Sequence, residues 1–167
     1  MGDAANIKMG TCNIEFDGVD LGLTMGGVEV EVTTNTHETK VDQYGDTVAN
    51  ESIMGRNITI RAPLAETTLQ NMADLMPGAV LTGDSGRVDI STAVGTSLFN
   101  SAKALRIHPI ELLDADHSED LNVPLANTPG ALSFAYKYDE ERVFIAEFKG
   151  YPDSNGLLFT YGDPTAS

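Results

Sequence analysis

Two runs of alternating hydrophobicity on either side of a long polar stretch constrain this chain most. In "GGVEVEVTT", Val28, Val30 and Val32 alternate with Glu29, Glu31 and Thr33; in "RNITIRA", Ile58, Ile60 and Ala62 alternate with Asn57, Thr59 and Arg61. Successive side chains of a strand point to opposite faces, so each run can pack one face on a core while the other meets water. Between them lies "TTNTHETKVDQYGDTVANES", residues 33 to 52. Ordinary connections run about 4–6 residues, and structureless ones beyond roughly 12–15 are usually functional or disordered. The pattern predicts a hairpin whose connection extends past the sheet as an arm. A metal site, an enzyme's lid and a docking arm are the available reasons for such a feature.

After the second run the period changes. In "APLAETTLQNMADLMPG", Pro63 is placed for a helix start, Leu64, Leu69, Met72, Ala73 and Met76 recur at helical spacing, and Pro77-Gly78 closes the segment, which predicts one helix over 63–76. Its apolar stripe wants a sheet to lie on. Downstream, "GRVDIST", "KALRIHPIELLD", "GALSFAYKYD", "ERVFIAEFKGY" and "GLLFTYGD" are short, rich in β-branched or aromatic residues, and separated by turn formers. Leu132, Phe134, Tyr136 and Tyr138 alternate with small or polar residues, "DEE" at 139–141 reads as a tight turn, and a strand follows over 142–149. The segment 83–101 reads as a surface loop around one short strand. Many short strands indicate a sandwich or barrel. The expected fold is therefore mainly β: two packed antiparallel sheets, sandwich or barrel-like, with one flanking α-helix and a long projecting hairpin arm over 35–52.

At 167 residues and 41% hydrophobic, the chain suits a single domain over 1–167. No apolar run approaches the roughly 18–20 residues of a membrane span, and "MGDAANIKMG" lacks the pattern of a signal peptide, so a soluble, cytosol-made protein without membrane insertion is expected. The opening Met-Gly suits myristoylation only with Ser or Thr at position 6, where Asn6 stands. Cys12 is the single cysteine, which excludes an internal disulfide and a cysteine-cluster zinc site. A small buried side chain is its ordinary reading, beside a nucleophile or an intersubunit bridge. The net charge of -15 argues against gripping nucleic acid through its phosphates, yet like charge lets nucleic acid slide past without sticking.

Motifs for chemistry are sparse. "DADHSED" gathers Asp114, Asp116, His117, Glu119 and Asp120, but it lacks the central glycine of an EF-hand loop and reads as a solvated loop. His37 and Glu38 have no second histidine at helical spacing, so a zincin-type site is absent. No serine sits on a strand-to-helix turn, and Cys12 has no histidine placed beside it in sequence. The glycines at 22, 26 and 27 match neither a dinucleotide fingerprint nor a P-loop. No catalytic residue, metal ligand or cofactor is assigned.

One resemblance organises these observations. "FDGVDLGLTMGGVEVEV", then "VDQYGDT", then "GRNITIRAPLAETTLQNMADLMPGA" is similar in order to the major tail tube proteins of tailed bacteriophages, over roughly residues 10 to 80. The resemblance implies a structural virion protein, not an enzyme: subunits related to type VI secretion tube proteins, forming hexameric rings that stack into a hollow tail tube for genome ejection. It implies that the arm reaches a neighbouring ring, with His37, Glu38, Lys40, Asp42, Tyr44 and Asp46 as inter-ring residues. Its partners would be further copies of itself, with tape measure, tail terminator and baseplate or tip proteins along and at the ends of the tube. DNA would pass through without specific binding, and the chain would reside in the virion tail after assembly in the host cytoplasm. A lumen lined by carboxylates repels phosphates, and Glu29 and Glu31 are the expected lining, with Asp89 and Glu147 next. The alternative is a monomeric β-sandwich module that binds a ligand or Ca²⁺ through the arm and the loop 114–120, and an acidic hydrolase is the third reading.

Overall fold

The structure, a computed structural model, describes residues 2–8, 10–83 and 86–166, so residues 84 and 85 of the expected 83–101 loop lie outside it. In chain order the elements are β1 (Cys12–Phe16), β2 (Val19–Asp20), β3 (Glu29–Lys40), β4 (Val48–Leu64), α1 (Leu69–Leu75), β5 (Ala79–Thr82), β6 (Arg87–Ile90), β7 (Lys103–Pro109), β8 (Leu121–Asn127), β9 (Leu132–Ser133), β10 (Phe144–Tyr151) and β11 (Thr160–Tyr161). Nine strands join in one antiparallel sheet with the central order β2-β1-β7-β8-β10-β4-β3, β9 pairing with β10 and β11 with β8. β5 and β6 form a separate two-stranded sheet. The expected mainly β chain with two antiparallel sheets, one helix and a projecting hairpin is what the structure contains.

The large sheet makes its core by curling over itself. Phe16 on β1 and Phe148 on β10 are separated by β7 and β8, which in a flat sheet would hold them roughly 14 Å apart at ~4.8 Å per strand. Their ring centroids are 5.2 Å apart. The inward face of β4 supplies Ile58, Ile60, Ala62 and Leu64, that of β10 Phe144, Ala146 and Phe148, and the β1, β7 and β8 side Ile14, Leu105, Ile107 and Val123, all buried.

The helix is shorter than the sequence pattern predicts: α1 covers Leu69–Leu75, not 63–76. Pro63 and Leu64 belong to β4, where Pro63 pairs with Ile145 and Leu64 with Phe144. The alternation of β4 continues to Leu64, which is fully buried, and that burial outweighs the preference of Pro63 for a helix start. The helix begins where Thr68 caps it, its hydroxyl accepting from the Asn71 amide at 3.1 Å. It buries Asn71 and Leu75, leaves Met72 partly buried, and exposes Leu69. The Asn71 side-chain amide donates to the carbonyls of Leu21 at 3.0 Å and Glu66 at 2.8 Å, so a polar side chain helps hold the helix down where an apolar stripe was expected.

The expected strand over 132–138 is also cut back. Only Leu132–Ser133 pairs with β10, and β10 begins at Phe144 rather than 142. Continuing the register of Ile145 with Ser133 sets Phe134 opposite Phe144 and Tyr136 opposite Arg142. Those side chains do meet: the rings of Phe134 and Phe144 are 5.1 Å apart, and the Arg142 guanidinium lies 5.1 Å from the Tyr136 centroid. The side chains thus keep a hairpin course while the backbone ladder stops, which leaves Tyr136 and Tyr138 exposed.

Candidate assembly surface

The polar stretch is itself β-structure. β3 and β4 stay paired from Glu29 with Arg61 out to Lys40 with Val48, with register shifts after Asn35 and after Thr39. β10 accompanies β4 only as far as Thr59, so beyond that point the pair is a two-stranded ribbon. At ~3.4 Å per residue it runs roughly 30 Å past the last β10 pair. Its outer part carries every expected arm residue. His37, Glu38 and Lys40 lie on β3 opposite Ser52, Glu51 and Val48, whereas Asp42 and Tyr44 lie in a 3-10 turn that Asp46 follows, and all six are exposed. Glu38 faces Glu51 directly, a like-charge pair that weakens the isolated ribbon; Glu51 is partly compensated by the Thr36 hydroxyl, which donates to it at 2.6 Å.

Two features of this hairpin are open to a partner. Among the described residues β3 has no strand on its outer side. The ribbon also keeps Val48, Ile53, Met54 and Tyr44 exposed, Met54 by 71%. Val30 and Val32 were expected on the core; instead each is 44% exposed, and of that face only Val28 packs against the core. Alternation assigned the valines to one face correctly, but at the sheet edge no element among the described residues covers Val30 and Val32.

Glu29 and Glu31 project from the opposite face. Register places Glu29, Arg61 and Glu147 in one row across β3, β4 and β10, and Glu31, Thr59 and Lys149 in the next. The face therefore mixes three carboxylates with two cations. Asp89 lies elsewhere, on the two-stranded sheet, in an ion pair with Arg87 at 2.9 Å.

Of "DADHSED", His117 and Asp120 are drawn into the protein while Asp114 and Asp116 remain exposed and Glu119 pairs with Lys8. Asp120 is fully buried, with Oδ1 2.6 Å from Nδ1 of His108 and Oδ2 2.8 Å from Nδ1 of His117. Arg106 sends one amino group to Glu15 at 2.7 Å and the other to within 3.9 Å of Asp120. His108 was missed because it is separated from Asp120 in sequence; the pairing of Ile107 with Leu121 across β7 and β8 is what brings them together. Hydrogen bonds from Ser118 hold the Asp116 carboxyl below its usual range, and those from Thr165 do the same for Asp163. Cys12 borders a cavity of about 660 Å³ with Lys8, Glu111 and Glu119, and burial pushes its thiol up, the direction opposite to that of an activated nucleophile.

No protein-family model and no curated protein matches the chain. Among solved structures it is similar to a chain in the virion of a native gene transfer agent particle, at 9% identity and a TM-score of 0.45, over 96% of this chain and 99% of that one.

Proposed function

We propose that this chain is a structural virion subunit that assembles with its own copies into stacked hexameric rings, forming a hollow tail tube through which DNA passes. The observation that carries the reading is the hairpin: a β3 edge with no strand beside it among the described residues, continuing into a ribbon that keeps Ile53 and Met54 in water. A free sheet edge is a template for pairing, and a two-stranded ribbon is marginal by itself. Both are stabilised when a second copy covers them. Edge pairing between neighbours closes a ring, and the ribbon, carrying His37, Glu38, Lys40, Asp42, Tyr44 and Asp46, reaches the next ring.

On this reading the face of Glu29, Glu31 and Glu147 lines the lumen. Arg61 and Lys149 offset part of its charge, so the lining is weakly acidic and DNA is repelled without a deep potential barrier. The chain performs no catalysis; its other partners would be a tape measure protein within the tube and terminator and tip proteins at its ends. Negative-stain microscopy of the purified chain across a concentration series tests the reading. Rings or tubes are expected. A chain that stays monomeric at every concentration would instead support a small binding module.

A further inference from the structure

We propose that His108, His117 and Asp120 bind a divalent transition-metal ion of the zinc class, one nitrogen from each imidazole and the carboxylate serving as ligands. The three offer donor atoms that all lie within 4.8 Å of one another. His108 comes from β7, and His117 and Asp120 from the loop that ends where β8 begins at Leu121. The backbone holds them there: the Asp120 amide donates to the His117 carbonyl at 3.3 Å, and the Gly162 amide, next to β11, donates to the Asp120 carbonyl at 2.8 Å.

One observation favours an ion over a purely hydrogen-bonded cluster. Asp120 is 0% exposed, and among the described residues its one permanent cation, Arg106, stands off at 3.9 Å while making its short contact to Glu15. A buried carboxylate so placed gains from a closer positive charge. His108 and His117 both present Nδ1 to Asp120, at 2.6 and 2.8 Å, so the nitrogens that would ligate already face the carboxylate.

The donor set selects the metal. Two imidazoles and one carboxylate suit zinc and its neighbours, whereas Ca²⁺ and Mg²⁺ take oxygen ligands. Three protein ligands leave the fourth position of a tetrahedron for water or for a carboxylate. Bound there, the ion would staple the 110–120 loop to β7.

The test uses the full chain, stripped with chelator and titrated with Co²⁺ as a spectroscopic stand-in, alongside thermal unfolding with and without Zn²⁺. One equivalent of Co²⁺ should produce visible ligand-field bands, and Zn²⁺ should raise the Tm. His117→Gln should abolish the bands and the shift, with its circular dichroism confirming that it folds, while His37→Gln on the arm should leave both unchanged. Wild-type protein that shows no ligand-field bands and no Zn²⁺-dependent Tm overturns the proposal, leaving a hydrogen-bonded clasp. Bands of undiminished affinity in His117→Gln also overturn it, because the ion would then sit on surface carboxylates.

Discussion

At Gly150 the strands of the core approach so closely that a side chain has no room. A Cβ built there would lie 2.4 Å from Cγ2 of Ile58 and 3.0 Å from Cγ1 of Val123, both stiff branched side chains buried in the core. Gly150→Ala should therefore destabilise the subunit by about 1–3 kcal/mol through overpacking, read as a lower denaturant midpoint at unchanged slope. Two leucines of α1 provide a contrasting pair. Leu75→Ala, at 1% exposure, should cost about 2–5 kcal/mol, whereas Leu69→Ala, at 46%, should stay within about 0.5 kcal/mol. Equal losses at both positions would show that Leu69 is covered in solution. At Asp163 hydrogen bonds from Thr165 hold the folded carboxyl below its ordinary value. Its contribution is complete above the unfolded value and is lost as the pH falls through the lowered folded one. The turn from Asp163 to Ala166 should thus open only in that acid window, visible as a change in the Thr165 amide shift.

Among the elements, the arm separates most cleanly from the subunit's own stability. None of residues 36–54 is buried, and Asn35 pairs directly with Gly55. Replacing 36–54 by Asn-Gly gives a two-residue hairpin turn of the type that matches strand twist. The expected outcome is a folded subunit whose Tm is nearly unchanged and which no longer forms long tubes in negative stain. Tubes of normal length would remove the docking role from the arm, and a large fall in Tm would make the arm part of the subunit's fold. The 134–143 segment behaves differently, since Phe134 still meets Phe144 of β10 and Arg142 still meets Tyr136 where the ladder has ended.

For the whole molecule, the question is what the acidic balance serves. Glu29→Lys together with Glu31→Lys would join Arg61 and Lys149 in a predominantly basic face, repeated from ring to ring along a tube. Both side chains are exposed, so folding should survive. DNA should then bind the assembled tubes with a steep salt dependence, because many weak phosphate contacts act together. Filter binding at low and high salt measures this. Tubes of the variant that retain no more DNA than wild type would place these glutamates outside the lumen.

The sequence alone determined what depends on neighbours along the chain. Alternation fixed the strands around 28–33 and 57–62 and told which residues share a face, and the polar composition of 33–52 marked the projecting hairpin, because local periodicity decides both. It also supplied the charge. Tertiary structure decided whatever depends on what lies across from a residue: that Val30 and Val32 stay uncovered at a sheet edge, that Pro63 and Leu64 join β4 rather than the helix, and that the 134–138 aromatics lack a ladder. It alone brought His108 to Asp120 and His117, since the register of two antiparallel strands is set by long-range burial. Local patterns assign a side chain its face, but only the packed chain decides whether that face meets core, water or another residue's charge.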